Sequence, residues 1–407
     1  MVQESNYRWV VVAAGGLMGC IAMGAMFSLP VLLTPTTADT GWSRTGISTA
    51  MTIGFLAMAF ASMMWGSLSD RFGARPVVLL GAVLLATSLW LAGHAQSLLG
   101  FQLLFGLCAG TSVAAFFAPM MATVTGWFVT QRSLAVSLVS AGMGLAPVTM
   151  SPLAAWLVGE HGWRGTLSIL SIIVALATIP AALFLRRPPA MAAGPSGDVA
   201  AQPSEAMTVR RALTSLPFAT LVLTNFFCCA AHSGPIFHTV SYAELCGISA
   251  LAAVSIYSVE GIAGLGGRIG FGLLGDRFGA KRTLVGGLLL QALIALGYLF
   301  ARDLSQFYAV AAAFGFVYAG TMPLYAVLVR DNFPPRMLGT IIGGTAMAGG
   351  LGMATGPVLG GWIYDTTAGY GALYLTSFGL GLGAFLVAMT FTPFKPEPAR
   401  PSQLQPA

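Results

Sequence analysis

The chain has 407 residues, 56% of them hydrophobic and 8% charged, with a formal net charge of +6 and a mean hydropathy of +0.81. A soluble globular protein is roughly 25% charged, so this composition excludes a soluble enzyme and indicates an integral membrane protein. The charges sit in short connections and are not clustered as a nucleic-acid footprint would be, and the ~10-residue alternating segments of a membrane barrel do not occur.

Taken in chain order, the apolar segments predict twelve spans: 9–33, 46–68, 76–94, 98–128, 133–158, 163–186, 215–242, 248–275, 282–301, 305–332, 336–363 and 370–392. Segments of about 20 apolar residues are long enough to cross as helices. The first begins just after Arg8 and is too long for the apolar region of a cleaved signal, so it reads as a retained span. The stretch 188–214 is rich in Pro, Ala and Gly, cannot build a core, and reads as a cytoplasmic linker. It separates an N-terminal six-helix bundle, 1–187, from a C-terminal six-helix bundle, 215–392. Residues 393–407 are Pro-rich and read as a disordered cytoplasmic tail. The expected fold class is therefore all-α, with twelve transmembrane helices in two six-helix bundles. Of the 19 Lys and Arg residues, Arg44, Arg164 and Arg302 fall on one side. Fifteen fall on the other, with both termini, and the positive-inside rule makes that side cytoplasmic.

The two halves repeat. Gly66-Ser-Leu-Ser-Asp70-Arg71-Phe72-Gly73-Ala74-Arg75 returns 206 positions later as Gly272-Leu-Leu-Gly-Asp276-Arg277-Phe278-Gly279-Ala280-Lys281, and Trp156 and Trp362 share the displacement. A same-sense repeat over an even number of spans implies two parallel, pseudo-symmetric halves about an axis normal to the membrane. That is a transporter architecture, with the substrate site near the midplane between halves.

Arg268 is the residue most out of place. It lies in the apolar stretch Gly247 to Leu274, whose only other charge is Glu260. An arginine at membrane depth costs about 2.5–3.5 kcal/mol on insertion scales and normally faces a polar cavity. Its planar fork suits a carboxylate. The alternative is a structural charge satisfied by a backbone carbonyl or by Glu260. On one helix Glu260 and Arg268 are about 12 Å and about 80° apart, too far for a tight pair. Glu260 reads either as a proton carrier or as a carboxyl that only stabilises packing. His238 and His232, in the seventh span, are about 120° apart in helical phase. His238 is the candidate for the cavity and His232 for a packed histidine. The five cysteines lack metal-ligand spacing, and Cys228–Cys229 read as small packing residues. No P-loop, HExxH or nucleotide-binding glycine motif is present, so no enzyme activity, metal or cofactor is expected.

The doubled Gly-x-Leu-x-Asp-Arg-x-Gly-x-Arg/Lys segment resembles the signature of the major facilitator superfamily, and the resemblance covers essentially the whole chain. Within it the chain is similar to the monocarboxylate transporter and oxalate/formate antiporter branch. The matching stretches are Gly126-Trp127-Phe128, Gln131-Arg132-Ser133-Leu134-Ala135, Ala141-Gly142, His238-Thr-Val-Ser-Tyr242-Ala243, Gly267-Arg268, Gly356-Pro357-Val-Leu-Gly360-Gly361, Tyr364-Asp365 and Tyr370. The resemblance implies that Arg268 binds a substrate carboxylate and that Phe27 and Phe117 occupy aromatic cage positions. Tyr318 and Tyr325 add hydroxyl donors, and packing is the alternative role for all four aromatics. It implies that Asp70, Arg71, Asp276 and Arg277 form charge networks that gate the halves, against the alternative that they only fix topology. Glu260 and His238 are the candidates for proton coupling. Animal monocarboxylate carriers place an aspartate where this chain has Gly264 and a lysine in the first helix, where this chain has none, so their proton relay does not carry over. The oxalate pattern has a basic residue where this chain has Thr345, which argues for one carboxylate in the substrate. The function implied is secondary active transport of small monocarboxylates, lactate- or pyruvate-like, by proton symport and alternating access. Carboxylate antiport and, in a different class, proton-driven drug or metabolite efflux are the alternatives. The implied partners are a small organic anion, protons and membrane lipid, with a monomeric transport unit in a bacterial inner membrane and no nucleic acid.

Overall fold

The computed structural model describes residues 6–128, 130–188 and 207–393, so most of the predicted linker and all of the predicted tail beyond Pro393 lie outside the described residues. Among the described residues twelve helices follow the order of the predicted spans. The first six are α1 (Tyr7–Phe27, continued after Ser28 by Leu29–Thr40), α2 (Arg44–Phe72), α3 (Ala74–Gly93), α4 (Leu98–Trp127), α5 (Arg132–Gly144 and 146–161) and α6 (163–183). The second six are α7 (Leu216–Leu245), α8 (Ala250–Phe278), α9 (Ala280–Gly297), α10 (Leu304–Asn332), α11 (Leu338–Thr367) and α12 (Gly371–Met389). No strand occurs among the described residues.

Several boundaries differ from the sequence expectation. The α1 helix runs on past 33 to Thr40, where Gly41 at φ 72° ends it. A helical run joins α5 to α6, broken only at Gly162 (φ 65°, ψ 176°), where a loop from 159 to 162 was expected. A glycine is the sole link between α2 and α3 (Gly73, φ 90°) and between α8 and α9 (Gly279, φ 88°). Only glycine takes that backbone without strain, which explains why both copies of the repeat carry it. The α4 helix is irregular: it is π-helical over Gln102–Ala109 and 3₁₀ over Ala114–Phe116, and it bends at Phe117 just ahead of Pro119.

Caps are chemical rather than accidental. The Ser43, Ser215 and Asp303 side chains accept the Gly46, Phe218 and Gln306 amides, starting α2, α7 and α10, each satisfying an N–H that lacks a helical partner. The outer surface keeps apolar residues exposed, including Phe60, Leu176, Leu223, Ile262 and Leu386, as a lipid-facing surface requires. The repeated pair Trp156 and Trp362 are 61% and 63% exposed, so the sequence repeat is also an equivalence of position.

The halves meet on the face that carries the arginine-rich connections, here called the basic face. There the repeat makes the same contact twice. Gly66 of α2 lies against the Gly339 backbone of α11, where an added Cβ would overlap the Gly339 carbonyl; Gly272 of α8 lies against Leu134 and Ser137 of α5. Just beyond, Asp70 accepts the Gly339 amide (2.8 Å), the Thr340 amide (2.7 Å) and the Thr340 hydroxyl (2.7 Å). Asp276 accepts the Ser133 (2.8 Å) and Leu134 (3.1 Å) amides. Each carboxylate therefore caps the start of a helix from the opposite half, where unpaired amides and the helix dipole favour an anion. An ion pair, Arg132 of α5 with Asp331 of α10, adds a third link. One continuous apolar core runs through this contact, from Val136 and Val139 to Leu324, Ile341 and Ile342.

The arginines of the repeat depart from the expected network. Arg71 and Arg277 lie over the neighbouring rings of Phe72 (5.2 Å) and Phe278 (5.3 Å), and neither forms an ion pair among the described residues. Helix amides, rather than these guanidinium groups, satisfy the aspartates. Hydrogen bonds to a charged group are worth about 1.5–3 kcal/mol. In Asp70→Asn we expect the Gly339 and Thr340 amides to exchange at least about tenfold faster, with helix content by circular dichroism unchanged. Unaltered protection would mean that this carboxylate does not hold the contact.

Candidate functional site

Arg268 reaches from α8 across to α5. Its Nε donates to the Ser140 hydroxyl at 3.0 Å, and its guanidinium lies against Gly144, where a Cβ would come within 2.6 Å of Nη1. On its own helix Gly264 leaves the space beside Nη1 open. A Cβ at Gly144 would crowd the guanidinium, whereas one at Gly264 would only touch it, at 3.6 Å from Nη1. The residue is partly exposed, points between the halves rather than to lipid, and has no carboxylate partner among the described residues. A cation so placed has lost much of its water without gaining a counter-charge.

Phe117 shares its depth. At ~1.5 Å per residue, Arg268 lies roughly 15 Å in from the Phe278 end of α8 and Phe117 roughly 15 Å in from the Trp127 end of α4, both measured from the basic face. The irregular turn before Pro119 holds Phe117. Next in depth comes Tyr318 of α10, whose hydroxyl interacts electrostatically with both Arg268 and Glu260. Glu260 is buried against Gly315. Its Oε1 has no hydrogen-bond partner, so it is a buried carboxyl with spare capacity. The Tyr318 ring stacks on His232 of α7 (centroids 4.9 Å apart, planes 28°). His232 is buried, and its Nδ1 has no hydrogen-bond partner among the described residues. Arg268, Tyr318, Glu260 and His232 thus form one ladder between α7, α8 and α10.

The remaining candidates stand elsewhere. His238 packs on Gly360 of α11 and against the Tyr370 ring (5.2 Å), roughly 33 Å in from the Leu216 end of α7. It belongs with the aromatic cluster of Tyr242, Tyr298, Tyr364 and Tyr374 at the far end of the second half and does not meet Arg268. The six-residue spacing that put the two histidines on different faces was legible, but their partners were not, and the structure brings His232 rather than His238 to Tyr318. Tyr325 is buried beside Cys228, with its hydroxyl unpaired, below the level of Arg268. Phe27 meets Phe55 edge to face at 6.4 Å, at the break in α1 just ahead of Ser28. Thr345 is buried, donates to Ile342 and offers its carbonyl to Asn225, so this position adds no cation. Sequence reasoning missed Ser140; its only signal was a hydroxyl in an apolar span.

Residues 15–343 and 269–407 match the family model described as Major Facilitator Superfamily. Over 394 residues the chain is 29% identical to monocarboxylate transporter 13 of Bos taurus, covering 95% of this chain and 88% of that protein. Over 387 residues it is 27% identical to multidrug resistance protein MdtG of Salmonella typhi, covering 90% and 91%. Among solved structures, the transporter FucP in the outward conformation superposes with a TM-score of 0.75 at 14% identity, over 96% of this chain and 100% of that one.

The electrostatic position of Arg268 has a consequence for stability. Removing a cation that lacks a counter-ion should be favourable, as it often is when buried charges give way to apolar side chains. Arg268→Met should stabilise the detergent-solubilised protein by about 1–2 kcal/mol, read as a higher thermal midpoint. A lower midpoint would mean that the guanidinium already has a structural partner.

Proposed function

The chain belongs to the major facilitator superfamily and is a membrane transporter, and on that premise we propose that it carries small monocarboxylates by alternating access, coupled to protons, with Arg268 as the carboxylate anchor. One observation carries the reading: a guanidinium between the halves with no acidic partner among the described residues. A monoanion supplies the missing charge, and both carboxylate oxygens can be held by one planar fork. Phe117, at the same depth, offers an apolar wall for a short hydrocarbon tail. The basic face is the cytoplasmic one by the positive-inside rule, in a bacterial inner membrane, and each chain works as its own transport unit. The contacts through Asp70 and Asp276 close that face, so on this reading the substrate reaches Arg268 from the opposite side, and the halves rock when these contacts break.

Glu260 is the proton carrier on this reading. It neighbours Tyr318, which also senses Arg268, so the charge of a bound anion and the protonation of Glu260 act on one another through a shared hydroxyl. His238 packs instead on Gly360 and the Tyr370 ring and is given no part in the coupling. Exchange of one carboxylate for another is the second reading, because an empty carrier must reorient with an unpaired arginine inside the membrane, and a returning anion removes that cost. Proton-driven efflux is disfavoured by the absence of an internal arginine in α4.

Arg268→Lys keeps the charge but loses the fork; uptake of a labelled monocarboxylate into proteoliposomes should fall at least about tenfold in kcat/KM with unchanged membrane insertion. Wild-type uptake by this variant would remove the anchor assignment. Glu260→Gln should abolish accumulation driven by an imposed pH gradient while sparing substrate-for-substrate exchange, and His238→Ala should leave both intact. Gradient-driven accumulation by Glu260→Gln would transfer the coupling role elsewhere.

A further inference from the structure

A cavity on the basic face lies apart from Arg268. It encloses about 860 Å³ beneath the first half and is walled by the α2–α3 turn, the inner part of α4, the end of α6 and the α10–α11 connection. Five arginines line it: Arg71, Arg75, Arg186 and Arg187 from the first half and Arg336 from the second. All five are exposed, and none forms an ion pair among the described residues. Arg186 lies over the Tyr7 ring at 4.2 Å, Arg187 donates to the Phe72 carbonyl and Arg336 to the Met207 carbonyl, so three of them are held in place by contacts that leave their charge uncompensated. The one acid in the wall, Asp70, is committed to the start of α11.

Topology alone explains why arginines lie on this face, but not why five of them converge on one hollow. Arg210, Arg211 and Arg282 lie on the same face and do not line it. Guanidinium forks match phosphate oxygens, and the volume lies within the usual range for small-molecule sites, about 300–1,000 Å³. A monoanion would leave most of this charge unmatched.

We infer that this cavity binds a soluble polyphosphate, of the charge and size of tripolyphosphate or a nucleoside triphosphate, and that the bound anion holds the basic face closed. The second part follows from where the arginines come from. Arg336 sits just ahead of Gly339 and Thr340, whose amides dock on Asp70, and the other four belong to the opposite half. Opening the face would carry Arg336 away from them, so a ligand touching both sets binds only the closed form and shifts the equilibrium toward it.

The test uses the full chain in nanodiscs of zwitterionic lipid at about 0.15 M salt, where diffuse attraction is screened beyond about 8 Å. Titration with tripolyphosphate by calorimetry should give saturable one-to-one binding. Arg75→Gln and Arg336→Gln should each weaken it about tenfold or more, the worth of one charge-assisted hydrogen bond. Arg282→Gln, an equal change of charge outside the cavity, should leave it unchanged. In hydrogen exchange, saturating tripolyphosphate should slow the Gly339 and Thr340 amides of the unmutated chain severalfold, and Arg336→Gln should cancel the effect. Absence of saturable binding, or equal weakening by Arg282→Gln, overturns the site. Binding without slowed exchange overturns the locking role. If tripolyphosphate fails to bind and anionic-lipid nanodiscs alone slow those amides, the occupant is a lipid headgroup and the soluble-ligand assignment falls.

Discussion

Two carboxylates that cap helices belonging to the opposite half set the state of this molecule. Asp70 at the end of α2 receives the first amides of α11, and Asp276 at the end of α8 receives the first amides of α5. A helix start has amides with no partner in its own helix, so each contact satisfies donors that would otherwise need water. On the proposed alternating-access reading the contact is also reversible. When the halves separate on the basic face, water can take both the amides and the carboxylates, so the closed form is favoured without being locked. Close approach makes it possible: Gly66 lies directly on the Gly339 backbone, and Gly272 lies on the small Ser137 side chain and the Leu134 backbone. The pairing of a small residue with an acid four positions later, in both halves, is one mechanical unit used twice.

Arg268 works against this economy of satisfied groups. It spans from α8 to α5 with a single hydrogen bond to Ser140 and no counter-charge among the described residues. Proteins keep such costly groups where function requires them. On the proposed reading the missing charge arrives with the substrate, and the ladder through Tyr318 to Glu260 lets the protein register its arrival. The anchor also bridges the halves, so its occupancy bears on the same contact surface that Asp276 closes nearer the basic face.

The cavity of five arginines gives the basic face a second electrostatic feature, one that is matched to several negative charges rather than one. Its walls come from both halves, and it adjoins the Asp70 contact directly. On the proposed readings, substrate anchor and regulatory hollow are separated by the closed contact between them, and a ligand in the hollow acts on transport by altering how readily that contact opens.

The amino-acid sequence by itself determined the twelve spans, the repeat, and the oddity of Arg268, because these are local properties. A span needs about 20 apolar residues, a same-sense repeat is visible as spacing, and a charge in an apolar stretch needs no fold to be noticed. Helix boundaries at Gly162 and Thr40 escaped it, since both depend on whether backbone continues through residues that permit either outcome. Only the tertiary structure decided which side chains meet. It gave Asp70 and Asp276 to helix amides rather than to Arg71 and Arg277, it joined His232 instead of His238 to Tyr318, and it gathered five arginines from three separate segments around one hollow. Sequence fixes what each helix can offer on its faces; rotation, tilt and the partner across the gap are set by packing against the other helices, and no single segment contains that information.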